Sequence, residues 1–383
     1  MGVLASLRGE GAVVSEPLLE VSDLVQEFTI RDRGGVRSGT VHAVSGVSFS
    51  LSAGESLGLV GETGSGKSTL ARALLQAPGP KQGSVRFRGT ELVGLKRRRL
   101  QEARRHIQMV FQDPFSSLDP TWRVGQLVAE PLVAFKVGNG AQRRRRVEEL
   151  LDRVGLDPAL YMERRPRELS GGQAQRVAIA RALAIDPDLI IYDEAVSSLD
   201  VLIRAQVLNL LEQLRSELGL AYLFIAHDLA LVKQVSDRVA VMYLGKLVEV
   251  GPAESLYREP LHPYTVALLA SIPSPDPTVP YEPVAQTIQG EPPSPIDPPS
   301  GCRFRTRCPR AQDICAAQEP PLRELLHGHR AACHFPVTVD TPAPAVTGGA
   351  PAEGVPPPEG VPPASGQPIA TSTHPAADGG RQP

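Results

Sequence analysis

One string constrains this chain more than any other feature. Gly61-Glu62-Thr63-Gly64-Ser65-Gly66-Lys67-Ser68 fits the pattern G-x-x-x-x-G-K-S/T. It follows the short apolar run SLGLV and opens a stretch with helical spacing from Ser68 onward. Strand, glycine-rich turn and helix make half of a β–loop–α unit. In such a turn the glycines let backbone N–H groups face inward around phosphate oxygens. Lys67 then reaches the β- and γ-phosphates and the Ser68 hydroxyl ligates Mg²⁺. The N-terminus of the following helix adds its dipole. The chain is therefore expected to bind a nucleoside triphosphate.

A second segment is the natural partner of that loop. Leu189-Ile190-Ile191-Tyr192-Asp193-Glu194 reads as a buried strand ending in two acids. Asp193 can hold the Mg²⁺ shell, and Glu194, one residue further, can act as general base toward an attacking water. AYLFIAHD, residues 221–228, is another such strand, and VLIRAQVLNLLEQLRSELG between the two has helical periodicity. Strands alternating with helices imply a mainly parallel sheet covered on both faces. Ligands bind at the carboxyl ends of such strands. The start of the chain, residues 18–55, alternates apolar and polar residues as sheet does.

Leu169-Ser170-Gly171-Gly172-Gln173 precedes the helical run AQRVAIARALA. One reading is a serine-capped helix start. The other is a second phosphate cradle, built from consecutive N–H groups, a hydroxyl and a helix dipole. One lysine loop has no internal use for it, so it would serve a nucleotide held by another subunit.

With LSGGQ lying between a lysine loop and an Asp-Glu strand, the sequence resembles the ATP-binding subunits of ABC transporters, over residues 18–255. The resemblance implies an α/β P-loop NTPase fold, an ABC-type nucleotide-binding domain with a RecA-like core plus a helical subdomain at 113–171. It implies ATP contacts from Gly61, Glu62, Thr63, Gly64, Ser65, Gly66, Lys67, Ser68 and Thr69. Gln112, in VFQDPFSSLDP, matches the glutamine loop that senses Mg²⁺ and couples to the membrane subunit. Ser198-Leu199-Asp200 matches the loop that crosses the dimer interface, which places Asp200 near ATP. His227 matches the switch histidine at the γ-phosphate. Phe28, in VQEFTI, aligns with the aromatic that stacks on adenine, where the family more often has tyrosine. Two such domains would bind two ATP head to tail, each between one subunit's lysine loop and the other's Ser170, Gly171, Gly172 and Gln173. Catalysis would rest on Glu194, His227, Lys67 and Gln112, with Mg²⁺ held by Ser68, Gln112 and Asp193.

The later segments LHPYTVALLASIPSPDP and GEPPSPIDPPSGCRFRTRCPRA look like the oligopeptide/dipeptide importer subfamily. That resemblance implies an ATPase powering peptide uptake, with a second, paralogous ATPase subunit, two membrane permease subunits and an extracytoplasmic solute-binding protein. Relatives importing nickel or other small solutes form the alternative. A soluble ABC ATPase outside transport is the more distant one. The expected location is peripheral, on the cytoplasmic face of the membrane.

Composition narrows the rest. The 40 basic and 42 acidic residues give a formal charge of −2, without the basic excess of a nucleic-acid binder. The arginine runs at 97–99 and 143–146 read as solvated helix faces. No run approaches the roughly 18 apolar residues of a membrane span. The N-terminal MGVLAS matches a myristoylation pattern that chance also supplies. All four cysteines lie late, at 302, 308, 315 and 333, spaced C-x5-C-x6-C-x17-C. Cys308-Pro309 is similar to the Cys-Pro of ferredoxin-type clusters. The resemblance implies a 4Fe–4S cluster on Cys302, Cys308, Cys315 and Cys333. Zinc and free thiols are the other readings. The expected division is a flexible start (1–17), the ATP-binding domain (18–255), a small cysteine-containing extension (256–335) and a disordered proline-rich tail (336–383).

Overall fold

The computed structural model describes residues 16–31, 35, 37–272, 288 and 290–337. The chain divides between residues 342 and 343, and every described residue lies in the first unit. All but the last two residues of the expected flexible start, the myristoylation pattern and all but the first two residues of the expected tail lie outside the described residues.

Two long strands come first, β1 (Leu19–Arg31) and β2 (Arg37–Leu51), then β3 (Ser56–Val60), β4 (Gln82–Phe87) and β5 (Thr90–Glu91). After them come β6 (Ile107–Val110), β7 (Leu189–Asp193), β8 (Ala221–Ala226), β9 (Arg238–Tyr243), β10 (Lys246–Pro252), β11 (Arg323–Leu326) and β12 (His329–Ala331). They form two sheets. The smaller, ordered β2-β1-β4-β5, is antiparallel throughout. The larger has the order β11-β12-β10-β9-β3-β8-β7-β6.

Only part of the larger sheet is parallel, namely β9, β3, β8, β7 and β6. The expectation of a mainly parallel sheet therefore holds for these strands, and the rest of the sheet is antiparallel. The reason is local. Tyr243 pairs with Lys246 across the two residues Leu244 and Gly245, both with positive φ (41° and 80°). Such a turn can only reverse the strand. The described part of the cysteine-bearing region then continues the sheet, since β12 pairs with β10 and β11 with β12.

β3, β7 and β8 are buried along their whole length, as continuous apolar runs in covered parallel sheets are. Their side chains feed two separate cores. Leu189 and Ile191 enter one, Ile190 and Tyr192 the other, the alternation that a period of two dictates. Helices Val124–Ala134, Gly140–Arg153 and Gly171–Leu183 share a core through Leu127, Val128, Leu150, Leu151 and Val177.

The arginine runs behave as solvated faces. Helix Arg97–Arg105 buries no residue. Arg144 pairs with Glu148, and Arg146 with Glu149 and Asp186. Among the described residues no helix is long and apolar enough to cross a membrane.

Candidate active site

The site is assembled at the carboxyl ends of four neighbouring strands, as expected of a parallel sheet. Gly61 follows β3, Gln112 lies just beyond β6, Asp193 ends β7 and is followed by Glu194, and His227 follows β8. The loop after β3 needs its glycines. Gly66 caps helix Lys67–Leu74 at φ 106°, and a Cβ there would stand 2.1 Å from the Ala43 carbonyl oxygen. A Cβ on Gly61 would meet the Met242 carbonyl at the same distance.

Lys67 is 4% exposed and curled within its own loop. Its Nζ donates to the carbonyls of Gly61 (2.7 Å) and Glu62 (3.0 Å) and to Ser65 Oγ (3.4 Å). Burial lowers its pKa against the opposing pull of Glu194, Asp193 and Glu62. Ser68 Oγ donates to Asp193 Oδ1 at 2.7 Å. Burial raises the Asp193 pKa, with the Ser68 hydrogen bond opposing it and the Glu194 charge adding to it. A buried carboxylate held high by burial and touching a hydroxyl gives the hard oxygen donors that Mg²⁺ prefers. The residues fit that ion.

Glu194 is the centre of the arrangement. It adopts φ 50°, unusual for a non-glycine residue. Its N–H donates to the Ile225 carbonyl at 2.9 Å, and its own carbonyl accepts from Ser197 N and Oγ. The carboxylate Oε2 accepts from Gln112 Nε2 at 3.1 Å and lies 3.7 Å from His227 Nδ1. Oε1 is 3.9 Å from Lys67 Nζ. Six of the residues singled out in the sequence thus meet in one place: Lys67, Ser68, Gln112, Asp193, Glu194 and His227.

Others stand apart from that cluster. Among the described residues, Phe28, Ser170, Gln173 and Asp200 form no hydrogen bond or ion pair with it. Phe28 is 40% exposed on β1, opposite Val41. Thr69 is half-buried on the first turn after the loop. Ser170 caps helix Gly171–Leu183, accepting from Gln173 N (3.4 Å), while Gln173 Oε1 accepts from Ser170 N (3.0 Å). The serine-capped helix start is therefore real. The same Ser170 is exposed, as a cradle for an outside nucleotide would require. Asp200 likewise caps the helix Val201–Leu218 through Ile203 N at 3.0 Å. Ile203 packs so close to Gly172 that a Cβ there would come within 2.4 Å of it.

The four cysteines are free thiols. Cys302 N–H donates to the Cys315 carbonyl at 2.8 Å. Burial pushes the Cys302 thiol up, Cys308 up to about 11 and Cys333 up to about 12. Charges on the other cysteines add to each shift. Yet among the described residues no group of three or more His, Cys, Asp or Glu side chains stands where it could hold a metal ion. The expected 4Fe–4S or zinc site is not supported by this geometry.

Sequence reasoning missed the neighbours of Glu62. Its N–H donates to Tyr264 Oη at 2.9 Å, and its carboxylate accepts from Arg307. Tyr264 lies in the LHPYT segment and Arg307 directly precedes Cys308, so a signal existed in both motifs but carried no address.

A family model described as ABC transporter matches residues 44–197. A second, described as oligopeptide/dipeptide transporter, C-terminal region, matches residues 248–315. The chain is 50% identical over 320 residues to the putative oligopeptide transport ATP-binding protein YkfD of Bacillus subtilis, covering 83% of this chain and 95% of that one. The chain belongs to the ABC transporter ATP-binding subunits of the oligopeptide/dipeptide type. This ABC ATPase is also 48% identical over 326 residues to the oligopeptide transport ATP-binding protein AppF of Bacillus subtilis, covering 85% and 99% of the two chains. Among solved structures it resembles cbiO1 of Clostridium perfringens, part of the ABC transporter complex cbiONQ. The TM-score is 0.55 at 28% identity, over 63% of this chain and 91% of that one. It also resembles the ATP-binding cassette MJ0796 in a dimeric post-hydrolysis state bound to ADP and Pi. There the TM-score is 0.55 at 27% identity, over 61% of this chain and 98% of that one. The ABC ATPase hydrolyses ATP, and the α/β P-loop fold is that of the family.

Proposed function

We propose that this ABC ATPase powers the import of oligopeptides or dipeptides, in an assembly with membrane permease subunits. The observation that carries the reading is the ring of Lys67, Gln112 and His227 around Glu194, in a chain that also carries the LHPYT and PPSGC segments. Two ATPase subunits, this one and a paralogue, close head to tail on two ATP molecules. Amides of residues 61–68 and the Lys67 ammonium take the phosphates, and Phe28 stacks on adenine. The partner's counterparts of Ser170, Gly171, Gly172 and Gln173 cover the γ-phosphate from the other side. Ser68, Asp193 and Gln112 would hold Mg²⁺, which when bound neutralises charge on the β- and γ-phosphates.

In the hydrolytic step Glu194 accepts a proton from water as the water oxygen bonds to the γ-phosphorus. The bond from that phosphorus to the bridging oxygen breaks, and its electron pair leaves with ADP. His227 steadies the γ-phosphate oxygens during the transfer. Glu194, already hydrogen-bonded to Gln112, is well placed to report that state toward the exposed residues Phe111, Phe115 and Trp122 beyond β6. These form the surface we assign to the permeases. We assign residues 18–255 to the cassette, 113–171 to its helical subdomain and 256–335 to the subfamily's own region. The assembly places the chain at the cytoplasmic face, with a solute-binding protein on the opposite side.

The test is reconstitution with the neighbouring permeases, second ATPase and binding protein. Di- to pentapeptides are expected to raise ATP hydrolysis at least threefold over the basal rate. Stimulation by nickel chelates and by no peptide would replace the peptide reading with small-solute import.

We further assign the four thiols to a 4Fe–4S cluster that holds the C-terminal segment together. The C-x5-C-x6-C-x17-C spacing and the Cys308-Pro309 pair support it. Anaerobically purified protein is expected to be brown and to contain about four iron and four sulfide per chain. A colourless, iron-free protein, with or without one zinc, would overturn the assignment.

A further inference from the structure

The phosphate loop is gripped from behind by a part of the chain far from it in sequence. Arg307 Nη1 donates to both carboxylate oxygens of Glu62, at 3.2 and 2.9 Å, and to Tyr243 Oη at 3.3 Å. The Arg307 side chain is only 8% exposed. Tyr264 Oη accepts the Glu62 N–H, and the rings of Tyr243, Tyr264 and Phe304 pack at centroid distances of 4.7 to 5.3 Å. Nearby, Arg303 donates to the Leu244 carbonyl and to Ser45 Oγ (2.9 Å). Two arginines from the cysteine-bearing segment thus reach into the nucleotide half of the fold.

The charge arithmetic gives this contact a meaning. Glu62 is the second residue of a loop that must receive a polyanion. A bare carboxylate there would repel the triphosphate, weakly screened because the pair is largely shielded from water. Arg307 cancels that charge and fixes where the carboxylate sits. A guanidinium nitrogen shared between both carboxylate oxygens does both at once.

We propose that Arg307 is a positioning residue of the ATP site, which sets triphosphate affinity by neutralising Glu62 and fixing its carboxylate. Arg307 acts through Glu62 and does not touch the nucleotide. The proposal rests on residues 61–68 being the phosphate loop, and is independent of what the thiols hold.

The experiment measures equilibrium affinities for ATP and ADP on the full chain and four variants. Arg307→Ala is expected to weaken ATP about tenfold, and ADP by less, because ADP carries less charge. Arg307→Lys should stay within threefold of the parent. The double variant Glu62→Gln/Arg307→Ala should recover to within threefold, since no unpaired charge remains. Glu62→Gln alone should bind ATP at least as tightly as the parent, because it leaves an uncompensated cation. That variant decides the matter even where Arg307→Ala fails to fold. ATP affinity unmoved by Arg307→Ala, a double variant as weak as the single, or loss of affinity in Glu62→Gln would each reduce the pair to a structural clamp. Failure of the parent itself to bind ATP would instead sink the assignment of the loop.

Discussion

Glu194→Gln is expected to leave ATP affinity within about threefold of the parent and to lower steady-state hydrolysis by about 10²- to 10⁴-fold, the usual span for a general base. The substitution keeps the size and one acceptor of the side chain, so the contact with Gln112 Nε2 at 3.1 Å survives. What it loses is the ability to accept a proton. It also removes a negative charge 3.9 Å from Lys67, which favours binding of the phosphates rather than opposing it. Binding and turnover should therefore separate. Equilibrium ATP binding and phosphate release, measured on the assembled complex, check this. Turnover within tenfold of the parent would remove Glu194 from the role.

Glu249→Ala is expected to destabilise the chain by about 3–5 kcal/mol, the summed cost of leaving three buried donors without an acceptor. Glu249 is wholly buried. Its oxygens accept from the N–H groups of Leu261 and His262, each at 2.8 Å, and from His329 Nε2 at 2.7 Å. A carboxylate only accepts, so His329 carries its proton on Nε2 and leaves Nδ1 to accept from Ser255 Oγ at 3.0 Å. Alanine would strand three donors in the core, each at about 1–3 kcal/mol. The packing leaves no room to rearrange, since a Cβ on Gly251 would already stand 2.6 Å from the His329 ring. The same corner starts helix Pro263–Ala270, where His262 Nδ1 accepts from Tyr264 N at 3.1 Å. Burial pushes the His262 pKa down to about 4 and keeps that acceptor free near neutral pH. Denaturant unfolding at pH 7 measures the loss. A shift below 1 kcal/mol would show that water replaces Glu249.

Much of the catalytic cluster was legible in the residues alone. The lysine loop and the Asp-Glu strand end each sit where a strand stops and polar residues begin, a pattern written locally in hydrophobicity and glycine placement, whereas the roles of Gln112 and His227 came from the resemblance to the family. The structure then brings these strand ends together because parallel pairing aligns the carboxyl ends of β6, β7, β8 and β3 on one edge. Residues 170–173 were legible as a helix start for the same local reason. Their service to a second subunit has no expression within one chain.

The C-terminal region was read less well. Cysteine spacing suggested a shared ligand, but spacing does not say how the backbone folds between thiols, and among the described residues no group of three or more His, Cys, Asp or Glu side chains could hold a metal ion. The return of that region to the main sheet was invisible, because β12 pairs with β10 across a gap of some 80 positions, Glu249 facing Ala331.

From sequence alone came the nucleotide chemistry, the strand and helix order around it, and membership of the transporter family. These depend on short-range patterns, namely glycine freedom, alternating burial and capping residues. Tertiary structure alone decided the Arg307–Glu62 bridge, separated by 245 positions, and the Glu249–His329 bridge, separated by 80. A charge carries no record of its eventual partner. Only folding, by excluding water from both at once, turns two ordinary polar residues into one obligatory pair.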